Sequence, residues 1–392
     1  MNEIKCDVLI VGAGPAGSSA AWAAAKEGLD VIIIDKKKKP AKDACAETLS
    51  KALIEILPFK IPQKFLKWEL QGIKFNYQNF SITRDNDIWW KSHPVNRDEF
   101  DPFILDLAID KGANYWPLNE FLKLTFDKKF IVKEAKIRNN KNNNFFNIKP
   151  KILIAADGIQ SKVLESIGKT KKQKIAIGYI KSYEYHNLSL DTPNYGHVFF
   201  GKFADGAYAY IFPKSETSAN IGIATMCYQG LNKKFNNFIK VINKQVKGSK
   251  KVIDRSGKAP LKNPSEEIVY GNIMFTGDAA NQNLKPFVEG IQPGIICGAL
   301  AGKSAADCIL NITKLNFTYK KMIKDKMGQL FADSDNIGDC LISAYEHKNK
   351  ARFLLEMGIF SYILDNQDIK KMEKFPENKI ELFLKEKMNL KI

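Results

Sequence analysis

The sequence predicts an α/β chain: a parallel-sheet domain built on βαβ units, interrupted by an antiparallel sheet and followed by helices. Three observations predict it. Short apolar runs rich in β-branched residues at 6–11, 29–34, 151–155 and 273–276 lead into Gly or Asp turns, the pattern of buried parallel strands. Between them, 70–90 and 175–225 alternate with period two and carry many aromatics, the pattern of antiparallel strands. Beyond about residue 317 the apolar period lengthens to three and four, with Phe353, Leu354, Met357 and Phe360, then Ile363 and Leu364, on one helical face. The expected organisation is discontinuous. One domain takes 1–62, 93–168 and 258–310, a sheet domain takes 63–92 and 169–257, and helices take 311–392.

At 392 residues, 45% apolar and 26% charged, the chain is long enough for a large core, which excludes a disordered chain, a collagen-like fibre and a small disulfide scaffold. Lys and Arg number 60 against 43 acids, a net charge of +17, yet only Arg84, Arg97, Arg138, Arg255 and Arg352 are Arg. A Lys-dominated excess is a diffuse field rather than a set of phosphate forks. It suits an anionic membrane surface or an acidic partner, or reflects a bias towards Lys, Asn and Ile. The basic residues are not interleaved with stacking aromatics, so nucleic acid is not an expected partner. Six cysteines form no CxxC and four histidines are scattered, so neither a metal site nor a disulfide framework is expected, and a reducing cytoplasm is the simplest compartment. Val8 to Ala25 is uncharged and long enough for a membrane span, but Gly12-Ala13-Gly14-Pro15 in its middle reads as a turn between strand and helix. No other stretch is expected to span a bilayer.

The first element, Cys6 to Val11, enters Gly12-Ala13-Gly14-Pro15-Ala16-Gly17 and an Ala-rich helix to about Lys26; the next strand ends in Asp35. This is the dinucleotide-binding arrangement. Gly12 permits the tight turn, Gly14 lets a pyrophosphate approach the backbone at Pro15 and Ala16, and Gly17 lets helix pack on strand. Free N–H groups at the helix start favour the phosphates, and Asp35 can accept from ribose hydroxyls. This motif alone leaves FAD and a nicotinamide cofactor both open.

Two later segments bear on that choice. The strand Lys151 to Ala155 leads into Ala156-Asp157-Gly158, and Ile273 to Thr276 leads into Gly277-Asp278-Ala279-Ala280. Pro286-Phe287-Val288-Glu289-Gly290-Ile291 then opens a small-residue helix. An Asp at a strand end can bond a ribityl hydroxyl, and a helix start near Gly290 favours the negative charge of reduced flavin. Three motifs in this order resemble the FAD-dependent oxidoreductases of the p-hydroxybenzoate hydroxylase type. The resemblance implies a Rossmann-like FAD-binding domain carrying an inserted antiparallel sheet, with Asp157, Gly277, Asp278, Gly290 and Ile291 at the cofactor.

Four further segments resemble the geranylgeranyl reductase family, including its archaeal digeranylgeranylglycerophospholipid reductases. They are Asp43-Ala44-Cys45-Ala46-Glu47-Thr48-Leu49-Ser50, Val95-Asn96-Arg97-Asp98-Glu99-Phe100-Asp101, Tyr208-Ala209-Tyr210-Ile211-Phe212-Pro213-Lys214 and Ser256-Gly257-Lys258-Ala259-Pro260. That resemblance implies that Ala44, Cys45, Ala46, Thr48, Arg97 and Phe121 also meet FAD, with Arg97 at its phosphates. It implies an isoprenoid substrate along Tyr208, Tyr210, Phe212 and Pro213, with Lys214 at a phosphate. Period two places the three rings on one strand face, where they serve either as core or as a tunnel wall. Ala46 stands where the family usually has Gly, which could take a positive φ cheaply; Tyr210 replaces Trp, Asp35 replaces the commoner Glu, and Lys162-Val163 replaces the usual basic end of the Asp-Gly motif.

The implied reaction saturates carbon–carbon double bonds of geranylgeranyl chains, in membrane lipids or their diphosphate precursors, by hydride transfer from reduced flavin with protonation. Cys45 is the candidate proton donor or flavin-edge residue. No second nucleotide fold is visible, so ferredoxin or transient NAD(P)H would be the electron donor. A monooxygenase or halogenase on the same scaffold is the alternative. Helices packed on the sheet, or a peripheral membrane patch, would explain the Lys-rich tail.

Overall fold

The computed structural model describes residues 4–40, 44–169, 177–204, 206–261, 264–311, 314–346, 351–372 and 374–390. Asp43, named above, lies outside the described residues, as do Lys348 and Lys350 of the Lys-rich tail.

The parallel strands come from the β-branched runs. Ile4–Val11 lies between Phe145–Ala155 and Val31–Asp35, parallel to both, with Ile273–Phe275 and Asn114–Pro117 continuing the sheet outwards. Their central positions are apolar because helices or an added hairpin cover both sheet faces, and Val8, Leu9, Ile10, Ile33, Leu153 and Ile154 are fully buried. The hairpin Asn119–Phe126 with Val132–Asn139 joins through Phe145–Ala155. The Asn- and Lys-rich stretch Lys136 to Asn147 turns at 140–144, which is exposed.

The helix Pro15–Lys26 is built from Ala, Gly and Ser because another helix lies against its backbone. That second helix, Ile291–Asn311, meets it at two glycines: a Cβ on Gly298 would lie 2.0 Å from the Ala16 carbonyl oxygen, and one on Gly302 would lie 2.1 Å from that of Ala20. Ser19 Oγ donates to the Ile295 carbonyl at 2.7 Å across the contact. Contrary to the sequence expectation, Ile291–Asn311 is long and apolar enough to cross a membrane, but two thirds of its most apolar window is buried in this core.

The second sheet runs in the order Lys250–Pro260, Ile177–His186, Ser218–Thr225, Ala209–Pro213, Gly196–Phe199, Ile73–Tyr77, Phe80–Arg84. It is antiparallel with one exception. Gly196–Phe199 pairs parallel to Ile73–Tyr77, because these strands arrive from two separate excursions of the chain rather than across a hairpin. The strand Lys250–Pro260 belongs to this sheet to its end, pairing Ala259 with Gly178, so the sheet reaches three residues past the expected boundary. One face carries Ile211, Ile221 and Ile223 against the helix Leu231–Val241 through Phe235 and Phe238. The other carries Tyr208, Tyr210 and Phe212 against the tail helix Arg352–Phe360 through Leu354, Met357 and Phe360. The tail's apolar stripe is thus used in packing. The long helix Leu315–Glu346 connects this region back to Ile291–Asn311.

Candidate active site

A cavity of about 780 Å³ opens at the C-terminal ends of the parallel strands and runs to the aromatic face of the second sheet. The glycine-rich turn forms its first wall. Gly12 has φ +99°, and a Cβ there would lie 2.4 Å from the Ala156 carbonyl oxygen; a Cβ on Gly17 would lie 1.8 Å from the Gly12 carbonyl oxygen. These two glycines shape the turn from behind and do not themselves line the cavity. Gly14, Pro15 and Ala16 do, and the space a Gly14 side chain would fill is open. Asp35 braces the turn, Oδ2 accepting from Ala13 N–H and Oδ1 from Lys37 N–H, both at 2.8 Å. A carboxylate has about four acceptor sites, so it keeps capacity for ribose hydroxyls.

Gly277 and Asp278 line the next wall, and the helix Ile291–Asn311 begins at it with Gly290 and Ile291. Gln292 ties that helix to the Cys45 loop side, Oε1 accepting from Ser50 N–H at 2.6 Å and Nε2 donating to the Ser50 carbonyl at 2.9 Å. An open phosphate-sized approach at Gly14, an Asp at a strand end and a helix start facing the same space fit a flavin dinucleotide.

The third wall is the segment 44–48, in which Ala44, Cys45, Ala46 and Thr48 line the cavity. The loop takes its positive φ at Glu47 (+62°) and not at Ala46, so losing the family's glycine there costs nothing in backbone strain. Two cations and one amide hold Glu47, which is 2% exposed: Lys214 Nζ at 2.6 Å, Arg255 Nη1 at 3.5 Å and, on the same carboxylate, Asn220 Nδ2 at 3.2 Å. Asn220 also donates to the Cys45 carbonyl at 2.8 Å. Lys214 is therefore committed to Glu47 and, at 2.9 Å, to Glu184, and it does not line the cavity as a phosphate ligand; it ends the strand where the Cys45 loop crosses it. Glu47→Ala is expected to cost about 2 kcal/mol of stability through lost charged hydrogen bonds, less than a lone buried pair because Lys214 keeps Glu184 and Arg255 keeps Asp98. Urea unfolding would measure it.

Arg97 is also on the cavity wall but is already engaged. Its guanidinium grips Asp101 in a fork, Nε to Oδ1 at 2.5 Å and Nη2 to Oδ2 at 2.7 Å, and Nη1 donates to Cys45 Sγ at 3.5 Å. The sulfur accepts a second hydrogen bond from Glu47 N–H at 3.3 Å.

The far wall is aromatic. Tyr208, Tyr210 and Phe212 all line the cavity, as period two requires, with Phe287, Phe360 and Trp90 around them. The Tyr that replaces Trp lies flat over Gly222, where a Cβ would sit 2.3 Å from its Oη, and its hydroxyl donates to the Cys45 carbonyl at 3.4 Å. Pro213 points away from the cavity lining. Two other expected cofactor residues are elsewhere. The Phe121 side chain is buried in the parallel-sheet core with Ile137, because its strand joins the added hairpin. Asp157 turns to the following helix, Oδ2 accepting from Val163 N–H at 3.1 Å, and only its neighbours Ala156 and Gly158 face the cavity. Residues the sequence reading passed over are Asn220, Glu184, Arg255 and Tyr362. Glu289, a lone acid between Phe287-Val288 and Gly290-Ile291, was the legible signal among those without an assigned role.

Comparison with known proteins agrees with this geometry. The FAD binding domain family matches residues 5–223, and the chain belongs to that family. Fold, cradle and family together define an FAD-dependent oxidoreductase. Within that class, the chain is 29% identical over 346 residues to the digeranylgeranylglycerophospholipid reductase of Methanocaldococcus jannaschii, covering 83% of this chain and 82% of the relative. It is 28% identical over 322 residues to digeranylgeranylglycerophospholipid reductase 2 of Methanopyrus kandleri, covering 78% of each. Among solved structures, a geranylgeranyl bacteriochlorophyll reductase-like protein of Thermoplasma acidophilum superposes with a TM-score of 0.80 at 24% identity, over 95% of this chain and 99% of that one. A flavin-dependent brominase shares the fold more distantly, with a TM-score of 0.69 at 17% identity, over 96% of this chain and 99% of that one.

Proposed function

We propose that this oxidoreductase saturates the double bonds of geranylgeranyl chains in membrane ether lipids or their prenyl diphosphate precursors. The substrate class is taken from the named relatives. The observation that carries the reading is the aromatic-walled space continuous with the flavin cradle, an environment for an apolar chain rather than a charged metabolite. Bound FAD, once reduced, supplies a hydride. The chain's residues do the rest. Gly14, Pro15 and Ala16 admit the pyrophosphate, and the helix start at Gly290 and Ile291 favours negative charge on the reduced ring. Cys45, fixed by Arg97 and Glu47, stands as the flavin-edge residue. Tyr208, Tyr210, Phe212, Phe287 and Phe360 exclude water and align an alkene that lacks a polarising carbonyl, so proximity supplies much of the rate. A ferredoxin-like carrier or NAD(P)H is the reductant in this reading, and contact with a membrane surface would deliver the lipid.

The test is anaerobic incubation of the dithionite-reduced, FAD-loaded protein with a geranylgeranyl lipid. Flavin reoxidation with mass gains of hydrogen pairs in the lipid is expected. Oxygen-dependent hydroxylation or halogenation of a substrate, with no saturation, would replace this reading by a monooxygenase or halogenase.

A further inference from the structure

Saturating one double bond adds one hydride and one proton, and the flavin accounts only for the first. The cavity wall contains an acid without an assigned task. Glu289 lies on the loop before Ile291–Asn311, and that loop is pinned at both ends of a two-way bridge: Leu284 N–H donates to the Glu289 carbonyl at 2.9 Å and Glu289 N–H to the Leu284 carbonyl at 2.8 Å. Its side chain lines the cavity, and Oε1 is buried with no hydrogen-bond partner. Among the described residues no ion pair joins it. The groups facing it are the phenols of Tyr208, from the second sheet, and Tyr362, from the tail, together with the Ser50 backbone N–H from the Cys45 side. Both phenols donate elsewhere on the same loop, Tyr208 to the Phe287 carbonyl at 3.1 Å and Tyr362 to the Lys285 carbonyl at 3.3 Å. Lys285, the nearest cation on the loop, turns away to Asp335 at 3.4 Å. Asp278 approaches from the strand end, its Oδ1 3.2 Å from where a Gly290 Cβ would be.

We propose, on the basis of the reductase reading above, that Glu289 is the proton donor to the alkene. Its neutral carboxyl gives a proton to one alkene carbon while the flavin-derived hydride adds to the other. Two C–H bonds replace the π bond, the flavin is left oxidised by two electrons, and the Glu289 carboxylate recovers its proton from solvent before the next turnover. Burial among aromatic rings raises this carboxyl to about 7, so that much of it carries a proton at neutral pH, where an ordinary Glu is ionised. Cys45, the sequence candidate for the same task, has its sulfur accepting from two donors.

The sign of the pH effect follows. The acid form is the competent one, so turnover holds below about pH 7 and falls as pH rises through that value. Glu289→Gln keeps the volume and removes the proton. In FAD-loaded protein it is expected to retain wild-type flavin content, to slow single-turnover alkene reduction by roughly a hundredfold or more, and to lose the fall above neutral pH. Glu289→Asp should recover part of the rate. Independently of turnover, carbon-13 NMR of Glu-labelled holoprotein should show one carboxyl titrating near 7 that is absent from Glu289→Gln. A Glu289→Gln enzyme with the wild-type rate and pH profile, or the absence of that titration, overturns the assignment of Glu289 alone. A wild type that saturates no prenyl chain overturns the reductase reading, and the assignment with it.

Discussion

Asp101→Ala is expected to destabilise the protein by about 3–5 kcal/mol, the cost of removing one partner from a buried ion pair. Arg97 is 1% exposed and Asp101 answers it with both oxygens, so the substitution leaves a buried guanidinium bonded only to Cys45 Sγ, with the Glu47 carboxylate acting at longer range. Desolvating a cation without a contacting counter-charge is what makes the figure large; an exposed pair at the same i,i+4 spacing is worth only about 0.3–0.5 kcal/mol. Asp101→Asn, which preserves shape and one acceptor but not charge, should lose most of the same amount. The measurement is the urea midpoint at unchanged m-value, with flavin content followed in parallel, because Arg97 also fixes the Cys45 loop on the cavity wall. A loss under 1 kcal/mol for Asp101→Ala would mean that water or another group solvates Arg97 and that the pair does not organise this wall.

The second large effect is expected at the contact between the two core helices. Gly298→Val forces carbon into the Ala16 carbonyl oxygen, 2.0 Å from the Cβ position, and neither backbone can yield without moving the helix that starts at Pro15. Overpacking of this kind costs typically about 1–3 kcal/mol and more where backbone must shift. The functional consequence is larger than the stability loss, since Gly14, Pro15 and Ala16 line the cavity where the proposed cofactor phosphates would approach. Purified Gly298→Val protein should carry little flavin, read as the ratio of flavin to protein absorbance. Gly328→Ala on the helix Leu315–Glu346 is the control: a Cβ there meets only the flexible Lys324 side chain, at 3.6 Å or beyond, and the change should be neutral or slightly stabilising with full flavin content.

Most of the candidate cofactor cavity's lining at the parallel strands was legible in the sequence because its parts are local. Gly12 to Gly17 with the flanking strands, and Gly277-Asp278 at a strand end, are each specified within a few residues by turn geometry and hydrophobic run length. The aromatic stripe at Tyr208, Tyr210 and Phe212 was legible for the same reason, since strand geometry alone puts alternate residues on one face. The pairing of Arg97 with Asp101 was available in principle as an i,i+4 spacing on one helix, but spacing does not say that the pair is buried. Lys214 was misread as a phosphate ligand because its real partners, Glu47 and Glu184, lie far away in the chain. Phe121 and Asp157 were placed at the cofactor by resemblance, and their side chains turned instead to the core and to a helix start.

The sequence by itself determined the α/β class, the nucleotide-binding turn and the aromatic strand face, because each depends on chirality, turn sterics or periodicity over short stretches; the cofactor type came from the resemblance carried by three motifs in order. Only the tertiary structure decided where the positive φ of the Cys45 loop falls, which charges cancel one another around Glu47, and that Glu289 meets no counter-charge among the described residues in its largely apolar wall. Those outcomes depend on desolvation, and how much water a side chain loses is set by segments hundreds of residues away that meet only when the chain has folded.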